Sequence, residues 1–170
     1  MLNLQRLAFS GELLRRGFWL YVWEIETAGG DMWLYVGRTG DSSSAHAQSP
    51  FNRLSQHLGS NKHANALRRQ LIKASINPEL CRSFEMIACG PIHPEASTIA
   101  DHQPLRNRMA ALECALRDAL HEAGYAVLNE VHCRHGLDLA VWREVKEAFT
   151  KRFPRLATAG TEVHDELQAR

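Results

Sequence analysis

Residues 18–27, FWLYVWEIET, and 32–37, MWLYVG, are both dense in aromatic and β-branched side chains, and only Ala28-Gly29-Gly30-Asp31 separates them. Such side chains favour the pleated backbone, and two such runs joined by a short Gly-rich break read as a β-hairpin. Residues 83–89, SFEMIAC, alternate Phe84, Met86 and Ala88 against Ser83, Glu85 and Ile87 before meeting Gly90-Pro91, which predicts a third strand followed by a long loop.

Helical signals fill the rest of the chain. Ser49-Pro50 is an N-cap followed by a first-turn proline. In the helix it opens, Arg53 and His57 share one face and Leu54 and Leu58 the next, and Gly59 ends it. A second helix is expected over about 62–75, with Leu67, Leu71 and Ile72 inward and Arg68, Arg69 and Lys73 toward solvent. From about 104 to 123, Leu105, Met109, Leu112, Leu116 and Leu120 form an apolar stripe closed by Gly124 as C′ residue. Residues 125–130 read as short and extended, 137–153 as a last amphipathic helix stopped by Pro154, and 11–16 as a short leading helix. With no internal repeat or linker, these elements make one domain over 1–156, of α+β class, with 157–170 expected to be a flexible tail.

At 45% hydrophobic and 23% charged residues, the composition is that of a folded protein and argues against disorder. No apolar run is long enough to span a bilayer, and Arg6, Glu12, Arg15 and Arg16 interrupt the N-terminal leucines, so the expected compartment is the cytoplasm, with no membrane contact. Cys81, Cys89, Cys114 and Cys133 form no CxxC pair and are expected to stay reduced. His132-Cys133-Arg134-His135 holds three metal-ligating side chains, without the second pair that zinc spacing requires. Net charge is +1, yet residues 42–78 contain no Asp or Glu while carrying Arg53, Lys62, Arg68, Arg69 and Lys73. That run predicts a local basic surface, either a solvated helix face or a contact for phosphates.

Taken singly, Tyr21 and Tyr35 are ordinary strand aromatics, Arg53 an ordinary helix-surface cation and His57 an ordinary histidine. Glu113 is less ordinary. On a helical wheel it falls at the edge of the Met109/Leu112/Leu116/Leu120 stripe, where a carboxylate is costly unless a cation such as Arg117 or Arg53 meets it.

In chain order, Leu20-Tyr21, a hairpin, Tyr35-Val36-Gly37-Arg38-Thr39-Gly40, Arg53-Leu54-Ser55-Gln56-His57, Ala111-Leu112-Glu113 and Leu128-Asn129 together resemble the GIY-YIG nuclease domain. The resemblance spans 18–129, about two thirds of the chain. It implies a small three-stranded antiparallel sheet flanked by helices. Two registers are open for the first half-motif: Tyr21 supplies its tyrosine, or Trp23 stands in that place and the phenol is lost. An apolar residue two positions after the tyrosine favours Tyr21.

The resemblance also implies roles. Glu113 would anchor one Mg²⁺ or Mn²⁺, whose remaining sites would be filled by water and a phosphate oxygen. Arg53 would neutralise the scissile phosphate through its planar fork. Tyr21 would serve as general base, with Tyr35 positioning the water or phosphate and His57 orienting Tyr21 or relaying its proton. Arg38 would stabilise the attacking group, and Asn129 would bond the phosphate or brace the site. Lys62, Arg68, Arg69 and Lys73 would hold nucleic acid. The expected activity is metal-dependent hydrolysis of DNA phosphodiester bonds, with DNA as partner and a second copy of the chain or a separate specificity protein beside it. Two other readings are a nucleic-acid-binding module of the same fold without cleavage and a protein-interaction domain whose basic helix meets an acidic partner.

Overall fold

A computed structural model describes residues 4–59 and 65–158. The two aromatic runs form β1, Phe18–Glu26, and β2, Met32–Arg38, paired antiparallel with Tyr21 opposite Gly37 and Trp23 opposite Tyr35. The turn between them is closed by Thr27 N–H to the Asp31 carbonyl and Gly30 N–H to the Thr27 carbonyl, at 2.9 and 3.0 Å. The third strand, β3, spans Ser83–His93 and pairs antiparallel with the other edge of β1, giving the order β2-β1-β3. It runs past Gly90-Pro91 because the register shifts between Phe18 and Leu20 of β1, a bulge that absorbs a proline unable to donate to the ladder.

As the central strand, β1 is covered on both faces, which accounts for its unbroken apolar run from Phe18 to Trp23. Successive side chains point to opposite faces. Phe18, Leu20 and Val22 join Leu34 and Val36 in one core with Met109, Leu112, Leu116 and Leu120 of α3 (Ile99–Glu122) and Val145 and Phe149 of α4 (Leu139–Thr150). Tyr21, Trp23 and Ile25 join Tyr35 in a second core with Leu67 and Leu71 of α2 (Ala66–Lys73), against which Leu54 and Leu58 of α1 (Pro50–Leu58) pack. The fold is therefore α+β, with a three-stranded antiparallel sheet between two helical layers.

Ser49 caps α1 by accepting the Asn52 N–H, and α3 closes with Gly124 N–H on the His121 carbonyl and Tyr125 N–H on the Leu120 carbonyl, a Schellman pair. Gly124, at φ +77°, takes the left-handed conformation that this motif demands.

Several boundaries differ from expectation. Helix α3 starts five residues before Pro104, because the Thr98 hydroxyl accepts the Asp101 N–H and caps it there; Pro104 is an interior residue, and the preceding loop shrinks to residues 94–98. On α2, Ile72 is exposed, while Arg68 lies mostly out of water. The last helix runs from its Asp138 cap to Thr150, and Phe153 and Leu156 are buried beyond it, so packing continues through the turn Pro154–Ala157. The rest of the expected tail, 159–170, lies outside the described residues. The leading element is a single 3₁₀ turn, Gly11–Leu14. Among the described residues no helix is long and apolar enough to cross a membrane.

Candidate active site

The second core is polar at one point. Tyr21 and Tyr35, from β1 and β2, project into it beside His57 of α1, with the two phenol rings 5.4 and 5.2 Å from the imidazole. The Tyr21 hydroxyl lies 2.5 Å from His57 Nε2, 3.3 Å from Arg53 Nε and 3.2 Å from the Arg38 carbonyl. It is thus the phenol of Tyr21 that hydrogen-bonds with Arg53 and His57, while the Trp23 ring lies edge-on to the imidazole at 6.5 Å. The indole N–H of Trp23 is buried without a partner.

Gly37 makes this possible. A Cβ at that position would lie 2.5 Å from Cε2 and 2.7 Å from the hydroxyl of Tyr21, so only glycine lets the ring lie flat across β2.

Arg53 is held from two sides. Its Nη2 donates to Asp41 Oδ2 at 2.8 Å and its Nη1 to Gln56 Oε1 at 3.0 Å, which leaves Nε facing the phenol. Asp41 is a site residue that the sequence reading missed; its one signal is that it is the last acid before the acid-free run. Glu113 of α3 finds its cation in Arg38, not in Arg117 or Arg53: Arg38 Nε donates to Glu113 Oε2 at 2.8 Å, and both side chains are about one-sixth exposed or less, at 14% and 16%. Arg117 instead bonds the Asn129 carbonyl and Asp118.

Asn129 arrives through the other edge of β2. Leu34 pairs in parallel with Val127, and the Asn129 side chain then acts as the next strand residue, accepting the Val36 N–H at 3.0 Å and donating to the Val36 carbonyl at 2.8 Å. Its amide braces β2 directly behind Tyr35 and Gly37.

Burial sets the protonation states. It pushes the Tyr21 phenol well above its ordinary value, against the opposing pull of Arg53. Tyr35 is raised by burial and then by the Glu113 charge. His57 is pushed down to about 3 by burial, with Arg53 adding to the effect, so it is a neutral imidazole at any ordinary pH. Glu113 is raised by burial, and Arg38 opposes the shift. In the resting state the site is therefore a neutral phenol pair and a neutral histidine between two ion pairs.

The site holds two carboxylates, Glu113 and Asp41, each already paired with an arginine. Among the described residues no three His, Cys, Asp or Glu side chains gather into a metal cage. That donor set fits a hard divalent ion that keeps most of its own water, and does not fit zinc.

The expected nucleic-acid surface is only partly assembled. Arg68 donates to the Gly59 carbonyl at 3.0 Å and pairs with Glu79, so it ties α2 to the end of α1 rather than pointing to solvent. Asp41 and Glu79, the acids that bound the acid-free run, thus neutralise two of its five cations. Arg69 and Lys73 lie on the exposed side of α2, and Lys62 falls outside the described residues.

No protein-family model, curated protein or solved structure matches this chain.

Proposed function

We propose that the chain is a metal-dependent DNA endonuclease of the GIY-YIG type, hydrolysing phosphodiester bonds with Tyr21 as general base. The observation that carries this reading is the convergence of Tyr21, Tyr35, Arg38, Arg53, His57 and Glu113, drawn from four separate elements, on one polar point inside an apolar core. A structural ion pair needs neither a desolvated phenol nor an arginine pointed at its oxygen. Phosphodiester hydrolysis needs both a base for the attacking water and fixed positive charge for the phosphorane.

The roles divide by chemistry. Arg53, locked by Asp41 and Gln56, holds a fixed positive charge beside Tyr21, where it would neutralise the scissile phosphate. The Arg53 charge and the His57 Nε2–H both stabilise the Tyr21 oxygen once it is ionised. Tyr35 lies on the same side and orients water or phosphate. A divalent ion on Glu113 would supply Lewis-acid stabilisation of the leaving oxygen. Asn129 bonds both backbone groups of Val36 in β2 and acts as a positioning residue.

A second reading, a DNA-binding module without cleavage, is favoured by the Arg38–Glu113 bond, which covers one oxygen of the carboxylate that would hold the metal. One experiment separates the two. Supercoiled plasmid and single-stranded DNA are incubated with the protein in Mg²⁺, Mn²⁺ or EDTA. Nicking that needs the metal and disappears in Glu113→Gln supports the nuclease; retention of DNA without nicking in either metal overturns it in favour of the binding module.

A further inference from the structure

An open cleft of about 1190 Å³ is lined by Arg38 and not by Tyr21. One wall is the face of α3 that carries Arg106, Ala110, Cys114 and Arg117, spaced so that they stack along the helix. The other wall is residues 130–135, with Glu130, His132, Arg134 and His135. This loop is anchored: Leu34 pairs with Val127, Arg117 Nε donates to the Asn129 carbonyl at 3.1 Å, and Cys114 Sγ reaches the Val131 carbonyl at 3.3 Å.

The lining chemistry selects the ligand. Four arginines face two carboxylates, and Asp118 is already paired with Arg117. Among the described residues neither Arg106 nor Arg134 has an ion-pair partner. Apolar small-molecule sites are lined mainly by hydrophobic and aromatic side chains; here the non-polar residues are the small Ala110, Val131, Cys114 and Cys133, and no Phe, Tyr or Trp is present to stack a base. What remains is a set of four guanidinium groups that includes Arg38, which itself touches Glu113 and, through its carbonyl, the Tyr21 hydroxyl.

We infer that this cleft holds the sugar-phosphate backbone of the DNA strand adjoining the scissile bond, with Arg106 and Arg134 as phosphate contacts. The inference rests on the nuclease reading and adds where the strand runs: along α3 and residues 130–135, and not only over α1 and α2. Because phosphates are gripped without base stacking, the cleft contributes affinity without sequence preference.

The test compares wild type with the Arg106→Ala/Arg134→Ala double variant and, as a control for simple charge loss, with Arg143→Ala, an exposed arginine outside the cleft. Binding to a short fluorescein-labelled duplex and to its single strand is followed by anisotropy across a salt series in Ca²⁺, and folding is checked by thermal melting. The double variant is expected to melt like wild type, to bind at least about tenfold more weakly, and to show a duplex salt slope shallower by about 1.8, two contacts at about 0.9 each. Arg143→Ala should keep the wild-type slope. A wild-type affinity or an unchanged slope in the double variant overturns the assignment of the cleft, as does equally tight binding of polyglutamate by wild type, which would mark an acidic-protein site. If wild type itself neither binds nor nicks DNA, the nuclease reading fails instead.

Discussion

Tyr21 Oη and His57 Nε2 sit 2.5 Å apart, both side chains buried, and His57 Nδ1 on the far side of the ring is buried without a partner. These facts constrain the proton. If the tyrosine donated to Nε2, the imidazole N–H would have to sit on Nδ1 and be orphaned. With Nε2–H donating to the phenol and the phenol donating to the Arg38 carbonyl, only a lone pair on Nδ1 goes unused. The histidine is then a donor to the tyrosine oxygen, alongside Arg53. Two donors on one phenol favour its ionised form, so under the nuclease reading His57 would stabilise the phenolate rather than accept its proton.

His57 should also make the fold acid-sensitive. Its folded value is about 3 against 6.5 for an ordinary histidine, so the unfolded chain binds more protons over that window and stability falls as pH drops from about 6.5 toward 3, by about 5 kcal/mol at most. His93, lowered by burial, acts with the same sign. Glu113, raised by burial, acts with the opposite sign above about 4.5. The His57 share is isolated by comparing melting temperatures of wild type and His57→Gln from pH 7 to 4: Gln keeps an N–H near Nε2 but does not titrate, so its curve should be flatter. Parallel curves would show that His57 is solvated and protonates freely in the folded state.

Gly37→Ala tests the close approach of the phenol to β2. The added methyl meets the Tyr21 ring at 2.5 Å, and backbone on one side and His57 on the other leave little room to yield. Overpacking of this kind costs about 1–3 kcal/mol. Cleavage should fall by more than that loss of stability explains, at a temperature where the variant is fully folded. Normal turnover in folded Gly37→Ala protein would mean that the position of the Tyr21 ring is irrelevant to the chemistry.

How much of this is visible in the residues alone depends on the range of the interaction. The hairpin is legible because aromatic runs, Gly-rich turn and strand pairing are all local, and α1 because Ser49-Pro50 and Gly59 mark both ends within the chain. Helix α3 is misread at its start because Pro104 satisfies the rule for a first-turn residue, whereas Thr98 and Asp101 form the cap that operates. The partner of Glu113 is illegible for another reason: Arg38 is 75 residues away, and only the packing of α3 on the sheet brings it nearer than Arg117. The acid-free run looks like a bare cationic surface because the acids that quench it, Asp41 and Glu79, lie just beyond its ends.

The Arg38–Glu113 pair should respond to cations in a specific way. Removing one partner from a mostly buried ion pair leaves the other charge uncompensated, so Arg38→Ala in EDTA should lose about 2–4 kcal/mol, a little under the full buried-pair figure because both side chains keep some exposure. Mg²⁺ or Mn²⁺ should then stabilise Arg38→Ala more than wild type, since the carboxylate no longer has to exchange one cation for another. Thermal melts with and without metal measure this directly. Equal metal-induced shifts in the two proteins would put the cation elsewhere than on Glu113.

Arg53 and Arg68 separate chemistry from architecture on neighbouring helices. Both are arginines in the acid-free run, both are mostly buried, and each is paired with an acid at one end of that run. Only Arg53 also points at the Tyr21 oxygen, at 3.3 Å, while Arg68 is spent on the Gly59 carbonyl and Glu79. Arg53→Ala should therefore cost at least about 10²-fold in cleavage rate, as loss of a transition-state charge donor commonly does. Arg68→Ala should lower the melting temperature by loosening α2 from the end of α1, yet leave the rate of the folded protein within a few-fold of wild type. Lys in place of Arg53 should rescue little, because an ammonium cannot bond Asp41, Gln56 and the phenol at once in a planar fork. The reverse pattern, with full activity in Arg53→Ala and loss in folded Arg68→Ala, would move the phosphate clamp from α1 to α2 and take the general base with it.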